Sequence, residues 1–153
     1  MAAGEIEWRD GMVFQGRAAH GELTVAPVDA DMGEGRFGPK ELVVLGLAGC
    51  TGMDVISILE KMRAIPERFR VGVRSEDAAA HPRYLERVEV TYRIDGPVTA
   101  DQARRAVSLS LERYCGVSAT MAGRSEIVPT VILNGETLEA LPSHGPARAQ
   151  EAR

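Results

Sequence analysis

The amino-acid sequence predicts an α+β fold, and three features of its 153 residues support this prediction. Short strand-like segments come first, a long apolar helix follows them, and two segments of alternating polarity come next. The predicted order is three strands, a helix, two strands, a helix and a final strand, with mostly antiparallel patterning. Strands and helices that are segregated along a chain in this way are typical of α+β domains.

The N-terminal third is expected to form short strands. Residues 5–9 and 12–17 flank Asp10-Gly11, a dipeptide that favours a tight hairpin turn. Residues 22–25 form a candidate third strand. Residues 26–38 hold one proline and three glycines among acidic residues, so they are predicted to form a loop.

A long helix is predicted over residues 39–63, with Pro39 at its first position and Lys61 near its C-terminal end. Apolar residues cover every face of this segment, and such a helix is expected to be buried on all sides. At 1.5 Å per residue it would be about 37 Å long. One domain of this size holds too little material to enclose it, so we expect a homodimer whose subunits bury it between them.

The remaining strands and the second helix are predicted from alternating polarity and from a helix-capping residue. Residues 69–73 and 85–94 alternate in polarity and are predicted to be half-buried antiparallel strands. Thr99 is expected to cap a second helix that extends to about Tyr114. Residues 127–133 form the last long strand, and Asn134-Gly135 turns the chain into a short return. Residues 1–141 are therefore expected to form one domain, followed by a disordered polar tail over residues 142–153.

Composition argues against several classes of partner. The net charge is −4, and the acidic and basic residues are interspersed along the chain without a basic stripe. Nucleic acid is therefore not an expected partner. No signal peptide is recognisable, and no apolar run is long and uninterrupted enough to predict a membrane span. We therefore expect a cytoplasmic protein without membrane association. In that compartment a permanent disulfide is not expected, so the two cysteines indicate catalysis, redox cycling or simple packing.

Cys50 lies in the middle of the long helix, where the positive helix terminus cannot stabilise a thiolate. Asp54, one turn further on, opposes thiolate formation if it is ionised. A reactive Cys50 therefore needs a cation from elsewhere, and Arg36 and Arg17 are the candidates. The residue types alone leave open whether Cys50 is reactive or an inert core cysteine. Cys115 likewise reads either as a partner for Cys50 or as a small apolar residue at a helix end.

Asp54 needs an explanation because an acidic residue on an apolar helix must find a partner or carry a raised pKa. We favour a structural role for it, by capping or by pairing inside the dimer, over proton transfer. The histidines His20, His81 and His144 stand in loop-like or tail contexts without ligand spacing. A two-cysteine site would need further ligands, so neither a metal nor another cofactor is expected.

Two motifs together resemble a known family. The segment Arg36-Phe37-Gly38-Pro39-Lys40-Glu41-Leu42, followed by Gly46-Leu47-Ala48-Gly49-Cys50, is similar to the family of osmotically inducible protein C (OsmC) and organic hydroperoxide resistance proteins. The segment Tyr114-Cys115-Gly116-Val117-Ser118 resembles the resolving-cysteine motif of that family. The spacing of 65 residues between the cysteines also suits it. Within the family, the stretch Gly49-Cys50-Thr51-Gly52-Met53-Asp54 resembles a less characterised branch.

The resemblance implies an intertwined homodimer in which antiparallel sheets surround two core helices. It also implies a cysteine-based peroxidase without metal or haem. Cys50 would attack an organic hydroperoxide and become a sulfenic acid, and Cys115 would condense with it to a disulfide. An external dithiol would restore both thiols. Arg36, with Arg17 as second choice, would lower the pKa of the thiol and orient the peroxide.

The sequence departs from the family pattern at two positions. Lys40 stands where peroxidases of the family carry a glutamate bonded to the arginine, and Glu41, nine residues before Cys50, points to the opposite helix face. Gly116 replaces the usual proline after the second cysteine. Two functions therefore remain: a hydroperoxide reductase, and a binding or stress-response protein that keeps the fold without turnover.

Overall fold

A computed structural model of the chain describes residues 2–28 and 35–146. The chain divides into two compact units, with the boundary between Val43 and Val44. Part of the predicted 26–38 loop, residues 29–34, lies outside the described residues. The same holds for residues 147–153 of the predicted tail.

The first unit contains a four-stranded sheet with its strands in chain order. The strands are β1 (Gly4–Asp10), β2 (Val13–Ala18), β3 (Gly21–Val25) and β4 (Arg36–Phe37). Gly11 adopts φ +46° in the β1–β2 turn, which the Asp10-Gly11 pair predicts. The predicted loop over residues 26–38 was wrong at its end, because Arg36 and Phe37 pair in parallel with Thr24 and Val25.

The long helix α1 (Pro39–Lys61) confirms the predicted helix to within two residues. The Gly38 N–H donates to Glu41 Oε2 at 2.8 Å, which satisfies one of the free amides at its N-terminus. At the other end, Arg63 adopts φ +57° and the Ala64 N–H bonds to the Leu59 carbonyl, so the helix stops before Pro66.

In the single chain, α1 is buried along one stripe rather than on all sides. One chain leaves the other faces of α1 open, as expected for a domain of this size: Leu45 is 49% exposed and Met53 77%. Burial of these faces by a second subunit stays a prediction. The buried stripe follows helical spacing and comprises Leu47, Thr51, Val55, Ile58 and Leu59.

The expectation that no segment could span a membrane also needs correction. By length and composition alone α1 qualifies. However, part of α1 is buried within the chain, and core helices of soluble proteins meet the same criterion.

The second unit contains another four-stranded sheet, also with its strands in chain order. The strands are β5 (Arg68–Asp77), β6 (Leu85–Asp95), β7 (Glu126–Leu133) and β8 (Glu136–Thr137). The pair β5–β6 is antiparallel, as predicted, but β6 and β7 run parallel. The expected antiparallel pattern does not extend to this pair, because a helical crossover joins the two strands.

That crossover holds three helical segments. They are α2 (Ala100–Leu109), a π-helical segment (Ser110–Tyr114) and the short α3 (Gly116–Met121). Thr99 caps α2 as predicted, and its hydroxyl and the Gln102 side chain complete a capping box. The predicted helix end near Tyr114 is confirmed, whereas the π-helical turn and α3 were not predicted.

The core of the second unit forms where α1, α2 and the sheet meet. Alternate residues of β6 are fully buried, in agreement with the predicted alternation: Val88, Val90, Tyr92 and Ile94. Leu47 and Leu59 of α1 and Val107 of α2 belong to the same cluster. His144, which the sequence places in the tail, exchanges two backbone hydrogen bonds with Ile127 of β7.

Candidate active site

The second unit brings the two cysteines together. The Sγ atoms of Cys50 and Cys115 and a carboxylate oxygen of Asp54 all lie within 4.8 Å of one another. Cys50 and Asp54 are one turn apart on α1 and therefore share a face of the helix. Cys115 arrives from the crossover 65 residues later in the chain. Cys50 and Cys115, which only the family resemblance pairs in the sequence, thus belong to one cluster with Asp54.

The π-helical segment positions Cys115. The Cys115 N–H bonds to the Ser110 carbonyl at 2.8 Å, five residues back, and the backbone then becomes extended with φ −71° and ψ 100°. Cys115 is also the N-cap residue of α3, and its Sγ accepts a hydrogen bond from the Ser118 N–H at 3.3 Å. Single π-helical turns inside α-helices are frequent at functional sites. Here the turn ends one helix, and the next begins at the thiol.

The two thiols differ in environment. Cys115 is 2% exposed, whereas Cys50 is half-buried. Burial, and then the adjacent Cys50 side chain, raise the pKa of Cys115 to about 11, although the Ser118 N–H acts in the opposite direction. At neutral pH Cys115 is therefore a protonated thiol.

Three hydroxyl groups connect the cluster to the core. Tyr92 OH and Thr51 Oγ1 are 2.8 Å apart, and Thr51 Oγ1 and Ser110 Oγ are also 2.8 Å apart. Ser110 Oγ donates to Asp54 Oδ2 at 3.1 Å. Because the Ser110 hydroxyl gives its one proton to Asp54, Thr51 donates to Ser110 and Tyr92 donates to Thr51, so the hydrogen bonds run in one direction from Tyr92 to Asp54. Burial raises the pKa of Tyr92, which keeps its hydroxyl protonated and able to donate.

Asp54 finds its partner within its own chain. Ser110, on a different element of the same unit, donates to its carboxylate, so this pairing needs no second subunit. Sequence reasoning missed Thr51, Tyr92, Ser110 and Ser118. The one available signal was polarity, since Thr51 and Asp54 interrupt an otherwise apolar helix next to Cys50.

Both candidate arginines belong to the first unit. The Arg17 Nε donates to Glu22 at 2.6 Å, and a second ion pair joins Arg17 to Glu5 at 3.6 Å. Arg36 is exposed on β4, and no residue within 2–28 or 35–146 forms an ion pair with it. The assignment of Arg36 as the activating cation remains a prediction.

Three side chains that could bind a metal ion lie close together at a place that their spacing in the sequence did not predict. Within the described ranges, the cluster of Cys50, Asp54 and Cys115 is one group whose ligand atoms are close enough to share an ion. Histidine spacing gives no sign of this site, because its third ligand is Asp54. His20, His81 and His144 are not members of this group.

Replacing Thr51 with valine tests the buried hydroxyl chain. Thr51→Val leaves the Tyr92 and Ser110 hydroxyls without their shared partner, and an unsatisfied buried polar group costs about 1–3 kcal/mol. Urea unfolding should show a loss of this size. The control Thr91→Val, at a half-buried position of β6, should change the unfolding free energy by less than about 0.5 kcal/mol. Equal losses of unfolding free energy in the two variants would contradict the hydrogen-bonded chain of hydroxyls.

The ionisation of Cys115 has a predictable direction with pH. Its folded pKa lies above the ordinary value of 9.0, so the folded protein retains the proton between about pH 9 and 11 and loses stability as pH rises through that window. In Cys50→Ser, the carbon NMR signal of a labelled Cys115 Cβ should titrate with a midpoint above pH 9.0, because burial, the largest cause of the raised pKa, remains. A midpoint below 9.0 would contradict this environment.

The sequence of the chain is similar to a known protein family and to a known protein. Residues 32–130 match the family model described as OsmC-like protein. The chain is 32% identical over 114 residues to protein YhfA of Escherichia coli strain K12, which covers 74% of this chain and 84% of that protein.

Solved structures show the same similarity. A hypothetical protein from Aquifex aeolicus superposes with a TM-score of 0.78 at 26% identity, over 87% of this chain and 96% of that one. An organic hydroperoxide resistance protein from Legionella pneumophila has a TM-score of 0.66 at 15% identity, over 86% and 96% of the two chains. At this identity the second likeness shows the α+β fold alone. From the family match and the relative together, the chain belongs to the OsmC-like protein family.

Proposed function

We propose that this protein is a thiol-dependent peroxidase that reduces organic hydroperoxides. The observation that carries the proposal is the approach of two sulfurs, distant in sequence, to within 4.8 Å of each other. The proposal is also supported by family membership, because some structural neighbours are named organic hydroperoxide resistance proteins.

The reaction would take place in three steps. The Cys50 thiolate attacks one peroxide oxygen, so that an S–O bond forms, the O–O bond breaks and the alcohol leaves after protonation. Cys115 then attacks the sulfur of the Cys50 sulfenic acid, which forms a disulfide and releases water. An external dithiol finally reduces the disulfide by exchange and is itself oxidised. The net change converts hydroperoxide and dithiol into alcohol, water and an oxidised dithiol.

The environments of the thiols support this division of roles. Cys50 is half-buried and so is the more accessible sulfur, whereas Cys115 is 2% exposed. A buried thiol with a raised pKa is a poor first nucleophile, since the thiolate is the reactive form. Cys115 suits the second step, in which the adjacent sulfenic acid is already in place.

A cation must stabilise the Cys50 thiolate, and we assign this role to Arg36. Arg17 is the weaker candidate because Glu22 and Glu5 already engage its guanidinium. Glu41 is committed to the N-terminus of α1 through the Gly38 amide. Lys40 occupies the position of the family glutamate, so the arginine would act without that partner.

The active form would be a cytoplasmic homodimer. Large apolar side chains are exposed in the single chain on both units, and exposed patches of this kind mark interfaces. Ile6 is 58% and Trp8 63% exposed on β1, and Met53 is 77% exposed on α1. A second subunit that covers these groups would also bury α1 more fully.

One alternative has its own support. A protein of this fold that binds a ligand without turnover would need no activated thiolate, and this chain carries Lys40 where peroxidases of the family carry a glutamate bonded to the arginine. The two functions differ in the reactivity of Cys50 toward peroxide.

Stopped-flow reaction with cumene hydroperoxide, followed by thiol counting, distinguishes them. We expect rapid loss of two thiols per chain, abolished in Cys50→Ser. In Cys115→Ser the first step should persist and stop at a sulfenic acid that dimedone traps. Arg36→Ala should slow the first step at least about tenfold, equivalent to about 1.4 kcal/mol.

The control for Arg36→Ala is Arg9→Ala. Arg9 is an exposed arginine of the same sheet, paired with Glu7, and its removal should leave the rate unchanged. A slow reaction in Arg17→Ala with a normal rate in Arg36→Ala would transfer the role to Arg17. If Cys50 reacts with the hydroperoxide no faster than free cysteine does, the binding function replaces the peroxidase.

A further inference from the structure

Cys50, Asp54 and Cys115 form a compact set of metal-ligand atoms, two sulfurs and one carboxylate oxygen, within 4.8 Å of one another. They come from two separate elements, α1 and the end of the π-helical segment. We propose that in its reduced state this cluster binds one thiophilic divalent cation, Zn²⁺. The proposal does not depend on peroxidase activity.

The spacing suits zinc. With Zn–S bonds of about 2.3 Å and tetrahedral angles, two ligating sulfurs lie about 3.8 Å apart. The two sulfurs lie within 4.8 Å of each other, so the shift needed to reach that separation is at most about 1 Å. Three protein ligands leave a fourth position for water, which is the pattern of open rather than closed zinc sites.

Neighbouring groups already orient two of the ligands. Ser110 donates to Asp54 Oδ2, and no described residue donates to the other carboxylate oxygen. The Ser118 N–H donates to Cys115 Sγ, and a thiolate there would retain that bond. Hydrogen bonds of this kind fix ligand orientation and typically contribute 10–100-fold to metal affinity.

The donor set selects the ion. Two thiolates favour soft or borderline cations over Mg²⁺ and Ca²⁺, which prefer oxygen ligands throughout. The carboxylate oxygen adds a harder ligand that zinc accepts together with sulfur. Binding would displace the proton of the Cys115 thiol, and the charge of the ion would then stabilise the resulting thiolate beside the other two ligands.

Oxidation would abolish the site. A disulfide between Cys50 and Cys115 removes both thiolate ligands and leaves a single carboxylate. The cluster would therefore bind zinc only in the dithiol form, and a bound ion would shield both sulfurs from oxidants.

Titration of the full-length reduced protein with Zn²⁺, against a chromophoric chelator, tests the proposal. We expect one tight site per chain, with affinity reduced at least about 100-fold in Cys50→Ser and in Cys115→Ser. Asp54→Asn should weaken binding at least about tenfold, whereas the control Asp101→Asn, on the exposed first turn of α2, should not. The double variant Cys50→Ser, Cys115→Ser measures background binding by the histidines.

Asp54→Asn also disturbs the buried hydroxyl chain, so a second measurement uses the unmodified protein. Loaded with Co²⁺, it should show tetrahedral d–d absorption together with thiolate-to-cobalt charge transfer, and both should vanish on oxidation to the disulfide. Zinc binding no tighter than in the double variant would overturn the proposal, as would a cobalt spectrum without thiolate charge transfer.

Discussion

The contact on which the site depends is the approach of the crossover to the middle of α1. Ser110 hydrogen-bonds to Thr51 and Asp54 of this helix. The Cys115 sulfur lies within 4.8 Å of the Cys50 sulfur and of an Asp54 carboxylate oxygen. An ordinary α-helical continuation would bond the Cys115 N–H four residues back. The π-helical turn bonds it five residues back, to Ser110, and ends the helix with the thiol facing the cluster.

The buried hydroxyl chain explains why this approach is specific. Thr51 and Ser110 are fully buried, and an unpaired hydroxyl in such a place is costly, so each fixes the position of the other. The Tyr92 hydroxyl extends the chain into the sheet, and Asp54 ends it at the thiols. The hydroxyl chain thus ends at Asp54, whose carboxylate lies within 4.8 Å of both sulfurs, so a change in the hydroxyl chain is expected to alter the surroundings of the two thiols.

The sequence predicted the elements well and the site in part. Hydrophobic periodicity and capping residues located α1, α2 and the long strands, because those signals are local. The parallel β6–β7 pair, the strand at Arg36 and the short α3 depend on contacts with distant segments, which periodicity does not contain. The resemblance paired Cys50 with Cys115, but the roles of Thr51 and Ser110 required three-dimensional contacts. Asp54 was recognised as needing a partner, which no spacing rule could have named.

The adjacency of the two sulfurs in the folded chain is the central claim, and disulfide mapping tests it most directly. Reduced protein is oxidised with a stoichiometric amount of diamide under native conditions, and its peptides are identified by mass spectrometry. The structure predicts one intrachain disulfide that joins Cys50 to Cys115 in nearly every molecule, formed much faster than in urea. Unlinked thiols, or disulfides only between chains, would contradict it.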